Sequence, residues 1–304
     1  MKIGNHTTTS NVFLAPMAGV SDAGFRAVCT DFGAGLTFCE MISAEGLLRA
    51  PNVTQKLLKT TEFEQIKCAQ LFGNVPEKFV EAIKSQQLEK FDIIDLNFGC
   101  PAPKIVKNKQ GSFVLQNPKL VSEIINKCVK STNKLITAKI RLGYEKNNVL
   151  EIAKICEESG VSMLTVHGRT KTQMFGGEVD YDSIAKVKAC LKIPVVGNGN
   201  IINESSYKKM LLTGVDAVMI GRGACGNPWI FSQIQNITYQ KNVKQTIKKH
   251  FEILLKNNNE QNVVMEFRKH LLWYAKGQSS ANKMQIQQVL TKFDVENVIN
   301  NFFD

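Results

Sequence analysis

Eight short runs of apolar, β-branched and aromatic residues recur along the first 221 residues, and helix-compatible stretches lie between most of them. The runs are VFLAPM from Val12, LTFCEM from Leu36, IKCAQLFG from Ile66, FDIIDLNFG from Phe91, LITAKIRLG from Leu135, MLTVHGR from Met163, PVVGNGN from Pro194 and AVMIGRG from Ala217. Helices are expected over 76–88, 118–130, 149–159, 181–190 and 204–212. Alternation of strand and helix implies a parallel sheet, and eight repeats imply a closed (β/α)8 TIM barrel rather than an open Rossmann sheet. No GxGxxG follows the first strand, which further disfavours a dinucleotide-binding Rossmann domain. After Trp229 the alternation stops, and the chain turns helical and rich in Lys, Asn and Gln. The expected organisation is a barrel over 1–236 followed by a small all-helical domain over 237–304, which a chain of 304 residues is long enough to build.

Seven of the eight runs end in polar residues that are costly to bury without a purpose: Glu40, Gln70, Asn97 with Cys100, Lys139 with Arg141, His167 with Arg169, Asn198, and Arg222. In a barrel these ends converge on one face, where the chemistry of the fold is done. Any one of them alone reads as a satisfied structural group; seven together read as a site. The fourth run stops abruptly at Asn97, Phe98, Gly99, Cys100 and Pro101, which makes Cys100 a candidate reactive group. The alternative at that position is a cysteine acting as a small buried hydrophobe. Glycines follow the last two strands, at Gly197, Gly199, Gly221 and Gly223. Those loops are the usual phosphate site of a barrel, because glycine lets backbone amides approach the anion, although ordinary tight turns also use glycine.

The formal net charge is +11, which favours polyanionic partners. Positive charge is denser in the tail: residues 237–304 carry ten basic and six acidic residues. Within it, Lys269, Trp273 and Lys276 are spaced for one helical face, a combination that suits phosphates and exposed bases. Packing of Trp273 with solvated lysines is an equal alternative. Lys104, Lys107 and Lys109, in the Gly-terminated segment after Cys100, read either as a basic lid or as a solvated loop. The eight cysteines form no CxxC pair and no close Cys/His cluster, so neither zinc nor a disulfide framework is indicated, and scattered thiols point to a reducing cytoplasm. No apolar run approaches a membrane span, and Met1 to Ser10 lacks a signal-peptide core. A cytoplasmic protein is expected, with no membrane partner and no metal, and as a monomer.

The motifs LAPMAG (Leu14 to Gly19), NFGCP (Asn97 to Pro101), AKIRLG (Ala138 to Gly143), TVHGRT (Thr165 to Thr170), GNGN (Gly197 to Asn200), IGRGACGNPWIF (Ile220 to Phe231) and FRKHLLWYAKG (Phe267 to Gly277) resemble those of bacterial tRNA-dihydrouridine synthases, most nearly the DusB type. The match spans almost the whole chain in order and spacing. The resemblance implies an FMN-dependent barrel joined to a helical RNA-binding domain, reducing the uracil C5=C6 bond of tRNA, and of other structured RNA where that is a substrate, with NADPH as electron source. It implies that Pro16, Met17 and Ala18 pack on the flavin, that Gln70 and Lys139 face its ring, and that His167 lies near it. Asn198, Gly199, Asn200, Gly221 and Arg222 would hold the ribityl phosphate. Cys100 matches the proton donor, Asn97 and Arg141 lie where the uracil is read, Arg169 joins them, and Lys269, Trp273 and Lys276 face the RNA. The one departure is Asn200, where the family pattern has Asp. The rivals are a flavin barrel acting on a small pyrimidine-like molecule, which leaves the basic tail unexplained, and a non-catalytic RNA-binding protein, which leaves Cys100, Lys139 and Asn97 without a purpose.

Overall fold

The computed structural model describes residues 1–50, 54–256 and 258–303. All eight runs form strands: β1 (Val12–Leu14), β2 (Phe38–Ser43), β3 (Cys68–Phe72), β4 (Ile93–Phe98), β5 (Leu135–Arg141), β6 (Leu164–His167), β7 (Val195–Asn198) and β8 (Ala217–Ile220). From β2 to β8 each strand pairs in parallel with the next in sequence, and β8 pairs with β1. A parallel bridge between Phe13 and Leu36 closes the ring, with the Leu14 amide donating to the Leu36 carbonyl at 2.9 Å. The expected barrel is therefore closed at this seam.

Helices follow the strands on the outside: α1 (Ala23–Asp31), α2 (Ala44–Arg49), α3 (Pro76–Ile83), α4 (Pro103–Lys107), α5 (Pro118–Ser131), α6 (Val149–Glu158), α7 (Tyr181–Cys190), α8 (Glu204–Leu211) and α9 (Ile230–Ile234). The helix expected over 76–88 is shorter. It ends at Ile83 because the Ser85 hydroxyl turns back onto the Ala82 carbonyl at 2.6 Å, and a 3-10 turn over Gln86–Leu88 follows.

Strand register sorts the barrel interior into two halves. Phe13, Phe38, Cys68, Ile93, Met163, Val196, Ala217 and Met219 form one apolar cluster, plugged by Ile3 from a two-stranded N-terminal ribbon. Above it the same inward-facing positions turn polar. Gln70 pairs in register with Asp95 and Asp95 with Thr137, then Asn97 with Lys139, and Arg141 with His167 and His167 with Asn198. Side chains two apart on a strand share a face, so this polar upper half is a direct consequence of the pleat.

Helices α10 (Val243–Leu255), α11 (Glu260–Tyr274), α12 (Ser280–Gln288) and α13 (Lys292–Phe302) share a second apolar core, which includes Ile247, Phe251, Phe267, Leu271 and Ile299 and takes in Trp229. They dock on α1. Gly24 permits this, since a Cβ there would lie 2.6 Å from the His250 carbonyl oxygen. Asp22 caps α1 by accepting from the Phe25 amide at 2.8 Å, and the same carboxylate meets His250 Nε2 at 3.1 Å and His270 Nε2 at 2.7 Å. Both histidines are buried. Sequence spacing hides this cluster, because Asp22 is far from either histidine along the chain. Deeper in the barrel wall Arg26 is buried against Glu64 at 2.6 Å.

Candidate active site

The carboxyl ends of the strands surround a cavity of about 780 Å³. It is lined by Pro16, Met17 and Ala18 after β1, Asn97 and Cys100 after β4, Lys139 and Arg141 of β5, His167 and Arg169 after β6, Asn198, Gly199 and Asn200 after β7, and Gly221 and Arg222 after β8. Trp273 and Lys276 close it from the helical side. Residues far apart in the chain are brought to one wall here, as expected from their strand-end positions.

Two expected residues lie elsewhere. Gln70 is fully buried one layer below the cavity, with its Nε2 donating to Asp95 Oδ2 at 2.6 Å and its Oε1 accepting from Asn97 Nδ2 at 2.7 Å. Lys269 lines a separate, smaller cavity of about 250 Å³ between barrel and helices, shared with Asp22, Glu40 and His270. The spacing that placed Lys269, Trp273 and Lys276 on one face assumes a continuous helix. Instead α11 ends at Tyr274 and the chain reaches a left-handed glycine, Gly277 at φ +96°, so Lys276 sits in the terminal turn.

Cys100 is held from both sides. Its amide donates to Asn97 Oδ1 at 2.8 Å, and its carbonyl accepts from the Ser112 amide at 3.0 Å and the Ser112 hydroxyl at 2.9 Å. Gly111 makes the second clamp possible: at φ +61° it is left-handed, and a Cβ there would stand 2.8 Å from the Cys100 carbonyl oxygen. Burial pushes the Cys100 thiol above its ordinary pKa, with a hydrogen bond from the Ala102 amide and then Arg141 and Lys139 opposing, so the sulfur carries its proton at neutral pH.

The rest of the wall is cationic. Lys139 donates to Asn198 Oδ1 at 3.2 Å, and Asn198 Nδ2 donates to the Met219 carbonyl at 2.8 Å. Burial and the neighbouring Arg141 lower the Lys139 ammonium to about 8. Arg141 is pinned by three carbonyls, of Gly99, Thr170 and Met174, at 2.7 to 2.9 Å. Phe175 stacks against both Arg141 and Arg222, with ring centroids 5.4 and 4.7 Å from the guanidinium carbons. His167 is held well below its ordinary value by burial and by Lys139, Arg141, Arg169 and Arg222, so it is neutral; its Nε2 faces Arg169 Nη1 at 3.4 Å, which leaves the proton on Nδ1. Among the described residues no carboxylate forms an ion pair with Lys139, Arg141, Arg169 or Arg222. Among the described residues these four cations converge with no carboxylate in ion-pair contact, Asp95 acting on Lys139 only from the layer beneath, an arrangement that an anionic ligand neutralises.

Besides Phe175, a reading of the sequence also misses Asp95. Asp95 is buried beneath the cavity, accepting from Gln70 and, at 2.6 Å, from Thr137 Oγ1, and burial raises its carboxyl to about 6. Its signal is present: it stands two residues before Asn97 in an otherwise aliphatic strand, hence on the same inward face. Asn200, the departure from the family pattern, is exposed and left-handed at φ +52°, a conformation that Asn tolerates better than most residues.

The chain matches the family model described as Dihydrouridine synthase (Dus) over residues 13–303. It is 38% identical over 289 residues to tRNA-dihydrouridine synthase B of Pasteurella multocida (strain Pm70), covering 91% of this chain and 87% of that protein. It is similarly 38% identical over 290 residues to a probable tRNA-dihydrouridine synthase of Rickettsia conorii (strain ATCC VR-613 / Malish 7), covering 91% and 88%. Against tRNA-dihydrouridine synthase B of Vibrio cholerae serotype O1 (strain ATCC 39315 / El Tor Inaba N16961) the identity is 35% over 318 aligned positions, covering 100% and 99%.

Proposed function

Because the chain belongs to the dihydrouridine synthase family, we propose that it reduces the C5=C6 bond of uracil at specific uridines of tRNA, with FMN at the barrel mouth and NADPH as electron source. The observation that carries this reading is the clamped, protonated Cys100 on the wall of a cationic cavity.

The residues present fit a flavin mononucleotide. The cavity falls in the size range of cofactor sites, Pro16 and Met17 offer an apolar surface, and four cations with no ion-pair partner among the described residues suit a phosphate. Gly199, Asn200, Gly221 and Arg222 would hold that phosphate, and Lys139 with Asn198 would meet the ring. When bound, the flavin supplies the hydride that adds to C6 of uracil.

Cys100 supplies the proton that must then add to C5, and its raised pKa suits an acid rather than a nucleophile. Its thiolate regains a proton from solvent. Lys139 and Arg141 present fixed positive charge where negative charge develops, inside a wall that needs no reorganisation. Asn97 is committed to Gln70 and to the backbone of Gly99 and Cys100, so its part is to shape the loop that meets the base. The target base has to leave its stack to enter. Trp273 offers a stacking surface at the cavity rim, with Lys276 beside it for phosphate. On this reading the helical segment from 237 onward is the RNA-binding part.

Mass-spectrometric mapping of dihydrouridine in tRNA from cells lacking the protein tests this. Loss of the modification at a defined subset of positions, restored by the wild-type chain and not by Cys100→Ala, is expected. An unchanged map would reject the reading.

A further inference from the structure

We propose that Asp95, which touches neither the cavity nor Cys100, is a positioning residue that orients the Cys100 loop through Gln70 and Asn97; the proposal rests on the reading of Cys100 as proton donor. A side-chain amide is nearly symmetric in shape, so its orientation is decided by its partners. Here both ends of a buried chain are unambiguous. At one end, the amides of Gly99 and Cys100 only donate, at 3.0 and 2.8 Å, which requires Asn97 to present Oδ1 to them. At the other end, an ionised carboxylate only accepts, which requires Gln70 to present Nε2 to Asp95 at 2.6 Å. The middle bond, Asn97 Nδ2 to Gln70 Oε1 at 2.7 Å, is the one arrangement compatible with both. Four hydrogen bonds thus run in one direction from the loop to the carboxylate.

The second oxygen of Asp95 accepts from Thr137 at 2.6 Å, a bond that lies outside the relay to Gln70. Gln70 and Asp95 are 0% and 1% exposed, so water does not substitute for a lost partner. Replacing the carboxylate by an amide keeps the shape and removes the acceptor-only character. Gln70 is then free to invert, and inversion sets two amide NH2 groups against each other at Asn97.

The test is a double-mutant cycle read in two ways: the rate at which iodoacetamide alkylates Cys100, followed at that peptide by mass spectrometry, and the single-turnover rate of flavin reoxidation by tRNA. Asp95→Asn is expected to change both by about tenfold in the wild-type background and by less than about twofold in an Asn97→Ala background, because its effect travels through Asn97. Thr137→Val, which removes a bond of Asp95 outside the relay, is expected to lower stability while leaving Cys100 alkylation unchanged. Equal effects of Asp95→Asn in the two backgrounds, or an alkylation rate that follows stability across all variants, would overturn the proposal. Should Asp95→Asn not fold, Gln70→Leu breaks the relay one bond later and carries the same expectations. Alkylation needs neither RNA nor a reduced flavin. A cycle that couples as expected in a protein that forms no dihydrouridine would therefore reject the proposed reaction and leave the relay standing.

Discussion

Cys100 lies on the cavity wall with a hydrogen bond on each side of its Cα, so its thiol is presented by the backbone rather than by side-chain packing. Cys100→Ala is therefore expected to fold, bind FMN and accept hydride from NADPH, while reduction of RNA slows by roughly 10²- to 10⁴-fold, the usual worth of a positioned acid. Rapid-mixing absorbance of the flavin separates the two half-reactions, and near-normal reoxidation by RNA would end the assignment. Gly111 makes the complementary case. A side chain there is strained at φ +61° and would press on the Cys100 carbonyl. Gly111→Ala should cost at least about 1–2 kcal/mol in urea unfolding, from the left-handed conformation alone, and an unchanged midpoint would show that the loop yields more easily than its contacts imply.

Strand β4 shows how one element carries two jobs. Its inward positions run Ile93, Asp95, Asn97, from apolar core to polar site in two steps of the pleat. At the junction of α1, α10 and α11 a second buried polar group has consequences for pH. Burial, together with nearby His250 and Lys269, lowers the His270 imidazole to about 4 against the pull of Asp22. The unfolded chain takes up this proton near pH 6.5, whereas the folded one waits until about 4, so acidification across that window favours unfolding. Asp95 acts in the opposite sense. Its folded pKa of about 6 lies above the unfolded value, so the native state protonates first and gains stability as pH falls through 6. Thermal melts from pH 7 to 4 should accordingly lose less stability in His270→Asn than in wild type, and more in Asp95→Asn. Parallel curves for all three proteins would contradict both assignments.

Taken whole, the molecule is a closed barrel whose mouth is completed by its own C-terminal helices. Trp273 and Lys276 line the same cavity as Cys100, and Trp229, at the end of the barrel, is buried in the helical core. On the proposed reading, a net charge of +11 and a cationic mouth predict an RNA affinity that falls steeply with salt. Lys276→Ala is expected to reduce the slope of log affinity against log salt by about one, with FMN absorbance unaltered; an unchanged slope would remove Lys276 from the RNA path. Among the described residues no helix is long and apolar enough to cross a membrane.

Period and punctuation make the barrel legible in the sequence itself: eight apolar runs, the helices between them and the polar residues at their ends are local properties of the chain. So are Cys100, Lys139, Arg141, Asn198 and Arg222 as a convergent set, because the topology of a parallel barrel sends all strand ends to one face. What stays hidden depends on which atoms meet across the fold. Gln70 ends a strand like the others, yet its neighbours Asp95 and Asn97 consume both ends of its amide and keep it below the cavity. Lys269 shares a helix with Trp273 but turns to the gap beside Asp22 and Glu40, because the docking of α10 and α11 on α1 decides which side of that helix faces the mouth. Asp22, His250 and His270 carry no signature in spacing at all. Their meeting is made by packing between segments more than two hundred residues apart, a distance over which periodicity holds no information.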